Sequence, residues 1–412
     1  MSAFRHRDYL IFWIGALLSN TGSWLLNLTV PFVLFQLTGS ALWVGAAVAA
    51  QFVPMFLLSP WGGSLADHLP RRRILLVMQS AMGLVALALW AAWAADLRDP
   101  LVLLGLMALI GAFNGLSMPS WQGFVHDLVP REDLLSAVTM NSLQFNAARA
   151  IGPALAGVLL ATLGPAWAFG INALSFGCVI LALVLVRAGR DAVRTVRTSS
   201  VVRQFSSALR YVATQPGLIM SMVIAATIGF LGNPVFSFTV VFAGGVFDVG
   251  PVALGFMNAV LGIGAFAAAP IVGGARWAPR LSRLVAIGLV TYTISLIAFS
   301  MAPGYAVGLV ALFLIGACFL TVVATINTAT QVIVADEFRG RVLAMRLMVF
   351  TLAAPLGSLA WGGVADILGA RVAMLIAGVL MGIVTGVVLT RRGALRISRL
   401  DDPHDESVLT AA

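Results

Sequence analysis

The sequence predicts an all-α polytopic membrane protein with twelve transmembrane helices in two pseudo-symmetric bundles of six. Its 412 residues are 60% hydrophobic and only 10% charged, whereas a soluble chain carries about 25% charged residues. Apolar stretches of about 20 residues, long enough to cross roughly 30 Å of hydrocarbon, recur along the whole chain. Such segments form helices, because lipid offers no hydrogen-bond partner to an open backbone.

Twelve segments meet this length criterion, and a polar stretch separates the sixth from the seventh. We place the spans at about 9–37, 42–65, 73–95, 101–127, 134–162, 165–187, 217–246, 252–275, 283–302, 305–333, 341–365 and 370–390. The predicted domains are an N-terminal six-helix bundle (1–187), a cytoplasmic linker (188–216), a C-terminal six-helix bundle (217–391) and a cytoplasmic tail (392–412). Residues 201–213 of the linker are predicted to form an amphipathic helix on the membrane surface.

The distribution of arginine predicts that both termini are cytoplasmic. The chain has no lysine, and in this orientation 22 of its 25 basic residues lie in or beside cytoplasmic segments. Arg98 and Arg371 lie outside, and Arg149 is the one charge placed clearly inside a span. The positive-inside rule therefore predicts a multi-pass protein of the cell membrane. Its arginines are expected to face anionic lipid, and no nucleic acid partner is predicted.

The two halves of the chain are similar to each other at a spacing of about 205 residues. The stretch "LIGAFNGLSMPSWQGFVHDLVPREDLLSAV" in and after the fourth span is echoed by "LIGACFLTVVATINTATQVIVADEFRGRVLAM" in and after the tenth. Six-plus-six repeats are typical of transporters in which two similar bundles enclose a site near the bilayer midplane.

A charged segment, "GGSLADHLPRRR" at 62–73, separates the second and third spans. The two glycines at its start omit side chains where another helix could approach closely. Asp67, at the membrane boundary, can lie against the positive N-terminus of another helix. Arg71 and Arg72 can reach Asp127, which ends the fourth span.

The glycine, aspartate and arginines of this segment are spaced as in the signature between helices 2 and 3 of the major facilitator superfamily, which the chain resembles over nearly its whole length. The N-terminal "FRHRDYLIFWIGALLSNTGSWLLNLTVPFVLFQLTGS" and the fifth-span "NAARAIGPALAG" further resemble the branch that contains enterobactin exporters and macrolide efflux proteins. The resemblance implies the major facilitator fold.

The resemblance also implies a conformational latch. Asp67 would face the start of the eleventh span and hold the cytoplasmic side shut in the outward-open state. The predicted latch consists of Gly63, Asp67, Arg71, Arg72 and Asp127. In the second half, Arg276 stands where the first half has Asp67, so a second aspartate latch is not predicted. The alternative role for the arginines is to anchor the topology.

Polar side chains inside the spans predict a central cavity. Buried polar groups are costly in lipid, so they usually face a cavity or another helix. Asn20, Trp24 and Asn27 follow each other at i, i+4 and i+7, which places them on one helix face. The resemblance implies that spans 1, 4, 7 and 10 line the cavity. The predicted cavity residues are Asn20, Trp24, Asn27, Asn114, Asn141, Arg149, Asn233 and Asn327; interhelical hydrogen bonding is the alternative role for the asparagines.

Arg149 has two possible roles. Its guanidinium could bind an anionic or phenolic substrate, or it could donate hydrogen bonds to carbonyls that Pro153 frees in the same helix. Nearby, Gly152, Pro153 and Gly157 resemble the helix-5 motif of antiporters in this superfamily, although alanines replace two of its usual glycines.

The resemblance implies a secondary active transporter, most simply a proton-driven exporter of an amphipathic small molecule such as a siderophore, a macrolide or another drug-like compound, by alternating access. The predicted spans carry no deep carboxylate, so the sequence identifies no proton carrier. A phosphate-binding loop, a metal cluster and a nucleophile–base pair are also absent, so no enzyme activity and no cofactor are predicted.

The alternatives are an uptake permease or facilitator, and a non-transporting sensor or lipid scramblase. The expected partners are a small-molecule substrate, protons and the lipid bilayer, and the expected oligomeric state is a monomer.

Overall fold

The protein is described by a computed structural model that covers residues 2–187, 201–273, 280–390 and 397–401. Its α-helices, numbered in chain order, are α1 (Arg7–Thr38), α2 (Ala41–His68), α3 (Arg71–Ala94), α4 (Pro100–Asp127), α5 (Leu134–Thr162), α6 (Pro165–Leu185), α7 (Val201–Thr214), α8 (Pro216–Thr227), α9 (Val235–Gly245), α10 (Pro251–Gly273), α11 (Leu281–Met301), α12 (Tyr305–Ile333), α13 (Arg339–Leu368) and α14 (Ala370–Thr390). The described residues also form 3₁₀ turns at Ser2–Arg5, Arg131–Asp133 and Ile397–Asp401, and a π-helical turn at Ile228–Gly232.

Within the described residues, 12 helical segments are long and apolar enough to cross a membrane, which confirms the predicted number of spans. The seventh span, Pro216–Gly245, consists of α8, the π-helical turn and α9. The predicted amphipathic helix is present as α7. Residues 188–200 of the predicted linker, Arg276, and residues 391–396 and 402–412 around the predicted tail lie outside the described residues.

Local sequence signals set the helix ends. The carboxylate of Asp99 accepts a hydrogen bond from the Leu101 amide (2.7 Å), and Pro100 occupies the first turn of α4, where its missing N–H costs nothing. At the end of α1, Gly39 adopts a φ of 66°, the left-handed conformation that commonly terminates helices.

The described chain folds into two compact units. Unit 1 comprises Met1–Arg197, Thr239–Gly244 and Asp248–Ala259, and unit 2 comprises Thr198–Phe238, Gly245–Phe247 and Val260–Ala412. The end of the seventh span and the start of the eighth therefore group with unit 1, although the chain order places them in the second half.

The same glycine contact recurs in both units. In unit 1, Gly111 of α4 lies so close to the Gln51 carbonyl of α2 that a β-carbon would overlap it. In unit 2, Gly316 of α12 lies equally close to the Leu261 carbonyl of α10. The two glycines begin the repeated sequence "GA" of the two "LIGA" stretches, so the repeat in sequence corresponds to a repeated close packing of helices.

In unit 1, side chains of α1 fix its position along α5. The Tyr9 hydroxyl donates to the Ala137 carbonyl (2.8 Å), and the Trp13 indole N–H donates to the Met140 carbonyl (2.9 Å). Both bonds join residues about 127 positions apart, so the two helices run in the same direction. This register brings the second half of α1 beside the second half of α5, where Arg149 lies.

The seventh span is interrupted near its middle, in the part that belongs to unit 2. The Asn233 amide donates to the Ile228 carbonyl (2.7 Å), an i to i−5 bond that defines a π-helical turn. Pro234 follows and supplies no N–H to the ladder. Discontinuous spans are common where transporters bind their substrates, and this break contains Asn233, one of the predicted cavity residues.

The amphipathic helix α7 is fastened to the segment between α12 and α13. The ring of Tyr211 stacks on Phe338, with centroids 4.4 Å apart, and its hydroxyl accepts a hydrogen bond from the Ala335 amide (3.0 Å). Burial raises the pKa of the Tyr211 phenol, so the hydroxyl stays protonated at neutral pH. This contact fixes the start of α13 within unit 2.

Candidate functional site

The charged segment at 62–73, which covers the end of α2 and the start of α3, forms the predicted contact between Arg71 and Asp127. One terminal nitrogen of Arg71 lies 3.0 and 3.1 Å from the two carboxylate oxygens of Asp127 and 3.0 Å from the Gly123 carbonyl. Both side chains are mostly buried: the side chain of Arg71 is 20% exposed and that of Asp127 is 19% exposed. A β-carbon at Gly123 would lie 2.6 Å from the guanidinium carbon of Arg71, so this glycine makes room for the ion pair.

Arg72 does not join this ion pair, contrary to the prediction. Its Nε donates to the Leu183 carbonyl (2.7 Å), and a terminal nitrogen donates to the Val184 carbonyl (3.0 Å) at the end of α6. Successive residues of a helix point about 100° apart, so Arg71 and Arg72 face different neighbours. Arg72 thus fastens α3 to α6, where a cation also favours the negative end of the helix dipole.

The two glycines of the segment differ in their surroundings. A β-carbon at Gly62 would lie 2.6 Å from the Leu116 carbonyl of α4, so close approach requires this glycine. Gly63 has no atom of the described residues within 4 Å of such a carbon, so the prediction of close packing is wrong there. Asp67 is exposed in the last turn of α2.

Arg149 lies over an aromatic side chain of α1. Its guanidinium carbon is 5.5 Å from the centroid of the Trp24 ring, within the range of a cation–π interaction. Trp24 in turn packs edge-to-face against Phe145, with centroids 5.8 Å apart. Phe145 precedes Arg149 by one helical turn, so the indole contacts two side chains of α5. The result is an aromatic surface, with Trp24 half-buried and Phe145 exposed, that carries one positive charge.

The helix-5 motif marks two close crossings within unit 1. A β-carbon at Gly152 would lie 2.5 Å from Cβ of Trp24 in α1, and one at Gly157 would lie 2.9 Å from Cα of Gly255 in α10. Pro153 contributes its carbonyl to the second crossing, 3.1 Å from a β-carbon built at Gly255. The motif therefore packs α5 against two different helices.

The predicted cavity residues share one level of exposure: each is half-buried. They are Asn20, Trp24, Asn27, Asn114, Asn141, Arg149, Asn233 and Asn327. Two amides of unit 1 have hydrogen-bonding capacity left over. The buried Oδ1 of Asn27 and both amide atoms of Gln144, which is 1% exposed, have no hydrogen-bond partner among the described residues.

A second arginine, which was not predicted there, lies inside a span. Arg346 is the eighth residue of α13, only 8% of it is exposed, and it donates from a terminal nitrogen to Oδ1 of Asn327 at 2.5 Å. The prediction that Arg149 is the one charge clearly inside a span is therefore wrong. Arg346 ends the stretch "RGRVLAMR", whose other arginines are exposed and are typical of a topological anchor. Arg346 follows Arg339 by seven residues, or about two helical turns, and this separation was the sequence signal that Arg346 lies within the span.

The comparison with known proteins agrees with this architecture. A family model described as transmembrane secretion effector matches residues 1–406. The multidrug efflux pump Tap of Mycobacterium tuberculosis is 28% identical over 397 residues, covering 93% of this chain and 92% of Tap. The MFS-type transporter YfiS of Bacillus subtilis is 26% identical over 381 residues, covering 89% and 90%.

Among solved structures, a bacterial homologue of the human lysosomal transporter Spinster has the same fold, with a TM-score of 0.75 at 15% identity over 96% of this chain and 98% of that one. The twelve spans, the signature after α2 and the family match lead to one assignment. The chain belongs to the transmembrane secretion effector family of the major facilitator superfamily, and it is an integral membrane transporter rather than an enzyme.

Proposed function

We propose that the protein exports an amphipathic small molecule in exchange for protons, by alternating access, with both termini in the cytoplasm. The observation that carries this proposal is the aromatic surface of Trp24 and Phe145 with Arg149 beside it. The relative Tap, which aligns with 93% of the chain, is named a multidrug efflux pump and supports the outward direction.

The chemistry of this surface suits a molecule with a flat apolar body and an acidic or electron-rich group. Aromatic rings bind apolar surface with little loss of side-chain entropy, and a guanidinium provides a bidentate donor for an acidic group. The half-buried amide of Asn27 supplies a further donor and acceptor, and the buried amide of Gln144 next to Phe145 has both of its polar atoms unused among the described residues. A polar solute such as a sugar would lack the apolar body that this surface favours.

The energy of one exchanged proton suffices for the proposed export. A gradient of one pH unit supplies about 1.4 kcal/mol, and 100 mV adds about 2.3 kcal/mol per charge. One proton could therefore support a more than roughly hundredfold concentration of a neutral substrate.

The acids of the described spans lie near the helix ends. Asp8 is in the first turn of α1, and Glu132 and Asp133 are in the 3₁₀ turn that begins the fifth span. Asp67 and Asp127 are in the last turns of α2 and α4, and Asp366 is in the last turn of α13. We assign the gating role to Asp67 together with the Arg71–Asp127 pair, in which Arg71 holds α3 against α4. Arg72 and Gly63 have no part in the described ion pair, so the proposed latch is smaller than the sequence signature.

Inside-out membrane vesicles with an acidic lumen test this function. A panel of siderophores, macrolides and aromatic dyes is added, and a pH indicator in the lumen is followed. The proposal predicts that a transported compound accumulates and that its addition raises the lumenal pH. If the compound only reaches equal concentrations on the two sides and the indicator does not change, the protein is instead a facilitator. The location of the acids at the helix ends favours this alternative.

A further inference from the structure

Among the residues that the structure describes, Arg346 has no ionic partner, although a buried guanidinium normally has one. Its side chain lies on α13 about 10 Å from the helix start, at 1.5 Å per residue, and is only 8% exposed. Among the described residues, no carboxylate lies within ion-pair distance of it, and its one hydrogen bond there goes to the neutral amide oxygen of Asn327. A charge in such a position is costly unless it has a functional partner.

The bond to Asn327 leaves one side of the guanidinium unused. The Nε–H of Arg346 is enclosed and has no hydrogen-bond acceptor among the described residues. Nε and a terminal nitrogen form the fork that binds the two oxygens of a carboxylate. The Asn327 oxygen thus stands where one carboxylate oxygen would bind, and the Nε–H of Arg346 points to where the second would bind. Asn327 is half-buried, so part of this residue is accessible to a ligand.

An aromatic row continues from this fork within unit 2. Phe350 lies one helical turn beyond Arg346 on α13, and its ring centroid is 6.0 Å from that of Phe319 on α12. Phe319 packs edge-to-face against Phe236, with centroids 5.1 Å apart. Phe236 and Phe350 are half-buried, so part of each ring is accessible. The charged group therefore lies at one end of an apolar surface.

We propose that Arg346 and Asn327 form an acid-binding site, and that the transported compounds include amphipathic carboxylates whose aromatic or aliphatic body lies along Phe350, Phe319 and Phe236. The carboxylate displaces the Asn327 oxygen and accepts from Nε and the terminal nitrogen of Arg346, while the Asn327 amide turns to donate to it. This inference rests on the proposed transport function and specifies the class of substrate.

A purely structural role for the pair is the competing explanation. Arg346 would then only hold α13 to α12 through Asn327. Two substitutions separate the roles. Arg346→Gln removes the positive charge. Asn327→Asp keeps an oxygen that accepts from Arg346, so the link between α12 and α13 is preserved. Its carboxylate also pairs permanently with the guanidinium and thereby blocks the binding of an acidic ligand.

The experiment measures binding to the purified full-length protein in detergent. Naphthoate is compared with naphthamide, which has the same ring body and no charge, by isothermal titration. We expect the wild type to bind naphthoate about tenfold or more tightly than naphthamide, because a hydrogen-bonded charge discriminates by that amount. Both variants should lose this preference and keep their affinity for naphthamide within about twofold. Arg341→Gln, an exposed arginine of the same helix, is the matched control and should behave as the wild type.

A preference for naphthoate that survives in both variants, or that is absent from the wild type, overturns the site. The same is true if Arg341→Gln abolishes the preference, because general surface charge would then explain it. These outcomes are separate from the test of export. If the protein binds acids but its transport does not respond to a proton gradient, the proposed antiport is wrong and the acid-binding site stands. If a proton gradient drives export of neutral compounds alone, the acid-binding site is wrong and the proposed export stands.

Discussion

At the scale of single residues, the function of the charged side chains depends on which neighbour each one meets. Arg71 and Arg72 are adjacent in sequence, yet the first pairs with Asp127 and the second caps α6. Arg149 lies over Trp24, and Arg346 bonds to Asn327. Each contact is with a different helix, so a charge change at one position is expected to have its own consequence.

Gly123→Ala tests the Arg71–Asp127 pair without removing a charge. The added methyl would meet the far end of Arg71 at 2.6 Å, so the flexible side chain moves and the ion pair opens while the helix stays intact. We expect export to fall to the level of Arg71→Gln, with a loss of about 1.5–3 kcal/mol of hydrogen bonding. Vesicle transport and thermal unfolding of the detergent-solubilised protein measure the two effects.

The control for this substitution is Gly105→Ala in the same helix. No atom of the described residues lies within 4 Å of a β-carbon at that position, so transport should remain and stability should rise slightly. Equal transport by the Gly123→Ala and Gly105→Ala proteins would mean that the ion pair has no part in gating.

Arg149→Lys tests whether the cation over Trp24 binds substrate. Lysine keeps a point charge and loses the planar fork, so an acidic substrate should retain part of its affinity. Arg149→Gln should weaken its binding about tenfold or more. The measurement is the rise in unfolding temperature that the substrate produces. If Arg149→Lys lowers the unfolding temperature and leaves the substrate-induced rise unchanged, the side chain braces α5 and the binding role is wrong.

At the scale of helices, close contacts between glycine and a neighbouring backbone hold the spans together. Hydrophobic transfer contributes little between helices in lipid, so packing decides their association. Gly62 and Gly111 meet carbonyls of the neighbouring helix, and backbone atoms have little freedom to move away. These positions tolerate no side chain, whereas Gly63 has space for one.

Gly62→Ala and Gly63→Ala form a matched pair of neighbouring substitutions. The first should destabilise the protein by about 1–3 kcal/mol, since overpacking forces the backbones of α2 and α4 apart. The second should leave the unfolding temperature unchanged. Thermal unfolding of both proteins in the same detergent measures the difference, and an equal loss in the two would contradict the packing of α2 against α4.

The helices of this protein were more predictable from the sequence than the contacts between them. Length and hydropathy determine a span, so all twelve were predictable. The π-helical turn before Pro234 was not predicted; its Gly229 and Gly232 lie close to α13 and α11, and such contacts between distant residues are not visible in the local sequence. Arg346 was missed because charge counting assigns an arginine near a helix end to the surface, whereas its burial depends on the helical phase of α13.

At the scale of the whole molecule, the arrangement of arginines predicts the orientation in the membrane. Reporter fusions at Arg98 and at Arg197 should report opposite sides, with the fusion at Arg197 in the cytoplasm, because positively charged segments are retained there. The same side for both fusions would reject the topology and, with it, the direction assigned to export.

The central proposal is that protons drive transport and that Asp67 and the Arg71–Asp127 pair gate it. The most direct measurement compares the purified wild type with Asp67→Asn in proteoliposomes with an imposed pH gradient and a transported dye. The wild type should accumulate the dye against its gradient, a protonophore should abolish the accumulation, and Asp67→Asn should insert normally and fail to accumulate it. Accumulation by Asp67→Asn equal to that of the wild type, or accumulation that persists with the protonophore, would contradict the account.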